Sequence, residues 1–211
     1  MLNHIAAWAA CRSCVLHSNR VVPLYGFGCE QAALLVLFDR HDIEMVDSCM
    51  VDCDDAGQLR LLRQLAAAAD VPMSDLWITT PTLCPTTTVD PEAFPPRETA
   101  PAPKAKGLAA CRPRLLHEAH QLQPEVILCC GAGAINALWS KKKPSIANDL
   151  GTVVECMVAG DLVEYPVPAF ITYSYHALFA TPDLTKDGTW FTACNHLASA
   201  YALALELRSK R

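Results

Sequence analysis

The sequence predicts an α/β fold, a three-layer αβα arrangement around a mostly parallel central sheet. Three observations predict it. Apolar runs of strand length alternate with stretches of helical period, the order that gives crossover connections and parallel strands covered by helices on both faces. The first of those runs is near-continuously aliphatic, as a fully buried strand is. The 211 residues suffice for one domain with a sizeable core, and no internal repeat divides them.

The elements follow in order. Residues 32–38 (AALLVLF) form the first core strand, which runs straight into Asp39, Arg40, His41 and Asp42. Residues 56–70 place Leu59, Leu62, Leu65 and Ala69 on one helical face with Arg60, Arg63 and Gln64 opposite, and Val71-Pro72 stops that helix. Residues 75–80 are the next strand. Residues 115–122 set Leu115, Leu116, Ala119 and Leu122 on a stripe that Gln123-Pro124 ends, and Cys111 stands at the start of this helix. Strand 125–130 and a short helix over 133–140 come next. Strands at 152–158 and 162–167 flank a hairpin turn around Gly160 and Asp161, and a further strand covers 168–174. A long helix over 190–207 turns Phe191, Cys194, Leu197, Ala198, Tyr201 and Leu205 inward. One segment differs from the rest. The Pro/Thr-rich stretch 85–106 carries Pro at 85, 91, 95, 96, 101 and 103, and it reads as a loop insertion within a single domain spanning 1–211.

Composition narrows the function. A chain that is 52% hydrophobic and 18% charged is not disordered. No apolar run of about 18 residues is present to span a membrane, and the N-terminus lacks the basic region of a signal peptide. The net charge of −5 does not favour nucleic acid as a partner. Its distribution is uneven. Asp39, Asp42, Glu44, Asp47, Asp52, Asp54 and Asp55 face only Arg40, whereas Arg97, Lys104, Lys106, Arg112 and Arg114 face only Glu98. Lys141, Lys142 and Lys143 form a second basic spot, and Arg208, Lys210 and Arg211 a third. Phosphate contacts belong on these spots and not on 39–55.

Eleven cysteines, several inside apolar runs, do not have the spacing of a secreted disulfide framework, so a reducing, cytoplasmic compartment is expected. Cys11-x-x-Cys14 alone is a weak signal, because a zinc ribbon needs a second close pair. Cys84 and Cys111 are the further candidates, and four thiolates from three segments suit a four-iron cluster. Chance spacing and a zinc-stapled domain remain the alternatives.

The motifs around these cysteines resemble those of the iron–sulfur uracil-DNA glycosylases, family four of that superfamily, over almost the whole chain. Cys11 and Cys14 with Leu16, then Arg20 to Gly28, are similar to the family's opening "C-x-x-C-x-L…R…V-x-G-x-G". Residues 55–59 resemble the "R-A-G-x-L" at the start of its first helix, and residues 76–85 its "Y-I-T-N-x-x-K-C-R-P". Ala109 to Leu115 is nearly verbatim "A-A-C-R-P-x-L", and Gln123 to Ala134 follows "x-P-x-V-I-x-x-x-G-A-x-A". The resemblance implies the uracil-DNA glycosylase-like fold, a structural 4Fe-4S cluster and Cys11, Cys14, Cys84 and Cys111 as its ligands.

It also implies a place for each catalytic role. Base excision needs a flipped base read at its edge, a donor for charge on the leaving base and a carboxylate beside water or the cationic sugar. The family's water-activating "G-E-A-P-G" aligns with Phe38 to Asp42, so Asp39 keeps the carboxylate while both glycines are lost, and Phe38 and Asp42 are expected to crowd a base. Read as a strand end, Asp39 is a solvated acid. The uracil-reading Asn aligns with Thr80, whose hydroxyl cannot pair bidentately with a base. The stacking Phe falls near Asp52, which has no π-face. His176 matches the His of "H-P-x-x-L-L-R", without the Pro and Arg; a core or turn histidine is its other reading. Leu150-Gly151 stands where the family has "R-G". Lys141 to Lys143 are the candidates for DNA backbone contact, or else a solvated helix end.

Two functions follow. A divergent member with weakened or lost base excision serves as an interaction subunit in DNA repair or replication, its acidic 39–55 face and Pro-rich loop suited to a protein partner. Alternatively the chain is an active DNA glycosylase, acting through Asp39 and His176 on uracil or another damaged base in DNA.

Overall fold

The structure is a computed structural model that describes residues 8, 10–18, 23–41, 57–84, 88–90, 97–99, 104–159, 164–180, 183–185 and 188–211. Its strands are β1 Phe27–Gly28, β2 Leu34–Leu37, β3 Leu76–Thr79, β4 Thr88–Asp90, β5 Arg97–Thr99, β6 Val126–Cys130, β7 Val153–Ala159 and β8 Glu164–Thr172. The helices are α1 Gly57–Ala68, α2 Ala105–Leu122, α3 Ala132–Leu138, α4 Ile146–Asp149, α5 Tyr175–Ala180 and α6 Thr189–Ser209, with a 3-10 turn at Val15–Ser18.

Six strands form one sheet in the order β1-β3-β2-β6-β8-β7. The inner four are parallel, and the edges β1 and β7 pair antiparallel. Alternate residues of each strand enter two separate cores. Leu34, Val36 and Phe38 pack with α1, α5 and α6, while Leu35 and Leu37 pack with α2 and α3. This is the three-layer α/β arrangement expected. Among the described residues no helix is long and apolar enough to cross a membrane.

Four details differ from expectation. Residues 164–172 form one strand, β8, where two were expected at 162–167 and 168–174, and the predicted turn at Gly160 and Asp161 lies outside the described residues. Pro166 and Pro168 sit opposite β7, before the first parallel pair Ile127↔Ala169, so their missing N–H groups interrupt no ladder on the β6 side. Helix α2 begins at Ala105, ten residues before the predicted start, and carries Pro113 within it. The Pro-rich stretch contains two short strands, β4 and β5, paired antiparallel in the register Val89↔Glu98. In α6 the buried stripe is Ala193, Cys194, Leu197, Ala200 and Ala204, while Phe191 and Leu205 remain exposed. Small side chains at that spacing let the long helix lie close against the sheet.

Candidate functional site

The strand order sets the position of the site. The chain leaves β2 towards β3 on one side and leaves β6 towards β8 on the other. Neighbouring strands whose connections diverge leave a crevice beyond their carboxyl ends, the usual ligand position in an open α/β sheet. Asp39 follows β2 directly, and Gly131-Ala132-Gly133 follows β6.

These two turns touch. A Cβ on Gly133 would stand 2.2 Å from the backbone oxygen of Asp39, and one on Gly131 would stand 2.8 Å from the Ser174 Cβ. Gly131 also has φ +94°, a conformation that only glycine adopts readily. Glycines in the turn and helix start after the neighbouring strand thus leave room for Asp39. Asp39 is only 6% exposed, so it is not a solvated strand end, and Arg40 lies 3.7 Å from its Oδ2. Phe38 does not crowd the crevice: it is fully buried on the other face, with its ring 5.8 Å from that of Tyr175. Asp42 and Asp52 lie outside the described residues. His176 is the second residue of α5, directly past the carboxyl end of β8, and its side chain is not among those described.

Thr80 is buried and turned inward. Its hydroxyl is 3.1 Å from the Thr82 carbonyl oxygen and 3.2 Å from His41 Nδ1. His41, also buried, lies with Nε2 2.6 Å from the same Thr82 oxygen. A carbonyl only accepts, so Nε2 carries the proton and Nδ1 is the unprotonated nitrogen, while the single proton of the Thr80 hydroxyl goes to the Thr82 oxygen. Burial holds this imidazole neutral, its pKa pushed down to about 4, with the nearby Arg114 cation adding to the fall and the Thr82 bond opposing it. His41 thus fastens the turn after β2 to the turn after β3. Both ring nitrogens face protein groups.

The cysteine segments meet on the α2 side. The short turn Val15–Ser18 packs on the first turn of α2, where Gly107 leaves room for Leu16; a Cβ there would stand 2.9 Å from Leu16 Cδ1. Leu24 N–H donates to Leu83 O at 2.8 Å, which fastens the following chain beside Cys84. Burial raises the Cys111 thiol pKa, the Leu83 backbone and Arg114 oppose the shift, and Cys14 and Cys84 add to it. Cys14 and Cys84, from two other segments, therefore each lie within electrostatic reach of Cys111, and Cys11 precedes Cys14 by three residues, with its thiol 3.4 Å from Ser13 Oγ. Among the described residues no three ligands are drawn tightly enough to hold a single ion. A four-iron cluster takes one thiolate per iron, so its ligands stand wider apart. The nine described cysteines are all thiols. This donor set, soft sulfur ligands beside a buried cation, fits such a cluster.

Several of the basic residues are engaged within the fold. Arg112 donates to the carbonyls of Ala137, Asn136 and Trp139 at 2.6, 2.8 and 3.1 Å, capping the end of α3. Arg114 is buried against Glu118. Arg208 and Arg211 reach the buried Glu125, and Lys210 pairs with Glu206. The three tail side chains nonetheless remain 44%, 63% and 61% exposed at Arg208, Lys210 and Arg211. Lys141, Lys142 and Lys143 are exposed, and Lys143 donates to Asn136 Oδ1 at 2.8 Å.

A scan against protein-family models finds no match, and no curated protein matches the chain significantly.

Proposed function

We propose that the chain is an iron–sulfur protein of the uracil-DNA glycosylase kind in which base excision is weakened or lost, serving as an interaction subunit in DNA repair or replication. The observation that carries this reading is the closure of Thr80 onto His41 and Thr82. By the resemblance, residue 80 is where a base edge would be read, and a base there would have to displace a buried imidazole from a 2.6 Å hydrogen bond. The charge of residues 39–55, seven acids against one Arg, favours a basic protein partner over DNA. Cys11, Cys14, Cys84 and Cys111 would hold the cluster, whose chemistry here is to join three segments. The abundance of thiols suits a reducing compartment.

A single-turnover assay on uracil-containing single-stranded DNA tests the reading, with Asp39→Asn and His176→Ala alongside. No release of uracil or another deaminated base is expected. Release abolished by both substitutions would overturn it in favour of an active glycosylase. One observation favours that second reading: Asp39 is buried against Gly131 and Gly133 at the crevice, where a carboxylate can face substrate.

A further inference from the structure

Arg114 lies three residues beyond Cys111 on α2, with Glu118 a turn further along the same buried stripe. Arg114 is 2% exposed and Glu118 1%. One guanidinium nitrogen contacts the Glu118 carboxylate and lies 3.3 Å from Thr79 Oγ1; the other donates to Thr80 O at 2.6 Å. Both Glu118 oxygens are occupied: Oε1 accepts from Trp77 Nε1 at 2.8 Å, and Oε2 from Thr79 at 3.0 Å and from Arg114. Gly26 closes over the pair, and a Cβ there would fall 2.0 Å from Glu118 Oε1.

The Arg114 Nε–H is buried and has no acceptor among the described residues. An uncommitted charged donor in a core is costly, and apolar residues of the same shape commonly stabilise as well as a buried ion pair does. Its position offers a reason for the cation. The Thr80 carbonyl it binds opens the five-residue turn that ends at Cys84, and Cys111 is on its own helix face. Thiolates gathered around a metal accumulate negative charge, and net charge and hydrogen bonds near the sulfurs set both affinity and potential.

We propose that Arg114 is the charge-compensating and positioning residue of the cysteine site, a fixed cation whose effect Glu118 moderates. This rests on the reading that Cys14, Cys84 and Cys111 hold a metal group. Three variants test it: Arg114→Met, Glu118→Gln and the double Arg114→Met/Glu118→Met, with Arg114→Lys as the charge-retaining control. In iron-loaded protein, Arg114→Met should shift the reduction midpoint to more negative potential, and Glu118→Gln should shift it the opposite way. A purely structural pair would not give opposite signs. In metal-free protein titrated with Co(II), followed by thiolate charge-transfer absorbance, Arg114→Met should bind roughly 10–100-fold more weakly. The double variant should regain the metal-free melting temperature and, with the opposing carboxylate gone as well, bind Co(II) between Arg114→Met and the parent, and Arg114→Lys should restore much of the affinity. Co(II) affinity in Arg114→Met within about two-fold of the parent, well below the loss expected, would overturn the proposal. If Arg114→Met fails to fold, Glu118→Gln decides it: a midpoint unchanged or shifted to more negative potential would overturn the proposal. A parent protein purified anaerobically without iron would overturn the cluster reading alone, since the Co(II) titration still measures what Arg114 does to the thiols.

Discussion

His41 and Thr82 are joined by a 2.6 Å hydrogen bond across 41 positions, and this bond closes the carboxyl ends of β2 and β3 against each other. The imidazole is neutral because it is buried, and it is held in one tautomer because a carbonyl is its partner. From these two facts comes a pH dependence with a definite sign. The folded pKa of about 4 lies below the ordinary histidine value near 6.5. Between these values the unfolded chain binds the extra proton, so stability rises with pH. His41 is therefore fully tolerated above about pH 6.5 and destabilises the fold progressively towards pH 4, by on the order of 3 kcal/mol in total. Urea melts across that range should show this slope in the parent and lose it in His41→Gln. An unchanged slope in His41→Gln would place the proton elsewhere.

The contact between the β6 turn and Asp39 predicts a graded glycine series. At Gly133 a methyl group meets backbone at 2.2 Å, and at Gly131 the positive φ adds strain to a 2.8 Å approach. At Gly107 it meets only the end of the Leu16 side chain. Alanine at 133 or 131 should each cost about 1–3 kcal/mol or more by overpacking, while alanine at 107 costs less, because Leu16 can turn aside. Chemical denaturation of the three variants checks the order. Equal losses at all three would mean that the β6 turn does not press on Asp39 as described.

Much of the fold was legible because strand and helix periods in this chain are clean. Leu34 to Leu37, Leu76 to Thr79 and Val126 to Cys130 are each fully buried, and the apolar runs predicted them closely. Helix α2 was read short because Gly107 and Pro113 are helix-weakening residues whose tertiary context overrides propensity: Gly107 seats Leu16, and α2 is held by Arg112 and Arg114. The site was legible as positions and not as contacts. The sequence places Asp39 at a strand end, but nothing local shows that Gly131 and Gly133, some 90 residues on, press against it. Arg114 and Glu118 carried a usable signal, an i,i+4 opposite-charge pair on the apolar stripe of a helix, which a reading of bulk charge passes over. His41 gave none; its partners are loop atoms that only the folded chain assembles.

Arg112 offers a test of local architecture near the exposed lysines. Its three bonds to carbonyls at the end of α3 satisfy groups that the helix itself leaves open. Arg112→Ala should cost about 1–3 kcal/mol, since charged donors to carbonyls are among the stronger hydrogen bonds. Lys141→Ala and Lys142→Ala should fall within about 0.5 kcal/mol of the parent, being exposed substitutions. If binding to single-stranded DNA is measured on the same proteins, a drop confined to the lysine variants would assign that run to phosphate contact. A drop only with Arg112→Ala would instead trace to disturbed folding.

The cysteines divide into two groups with opposite expected behaviour. Cys129, Cys130 and Cys156 are buried in the two cores, where burial raises their thiol pKa values well above ordinary or to about 12, so they act as small apolar groups. Cys14, Cys84 and Cys111 converge from three segments beside a fixed cation. Replacing Cys14, Cys84 or Cys111 with Ser should therefore remove iron and visible absorbance from anaerobically purified protein and lower its melting temperature. Cys129→Ala or Cys156→Ala should keep the iron while losing stability, since each leaves a small cavity in a packed core. Iron retained after both Cys84→Ser and Cys111→Ser would show that the ligand set is wrong. Iron lost equally from the core variants would show that it depends on global stability and not on these thiols.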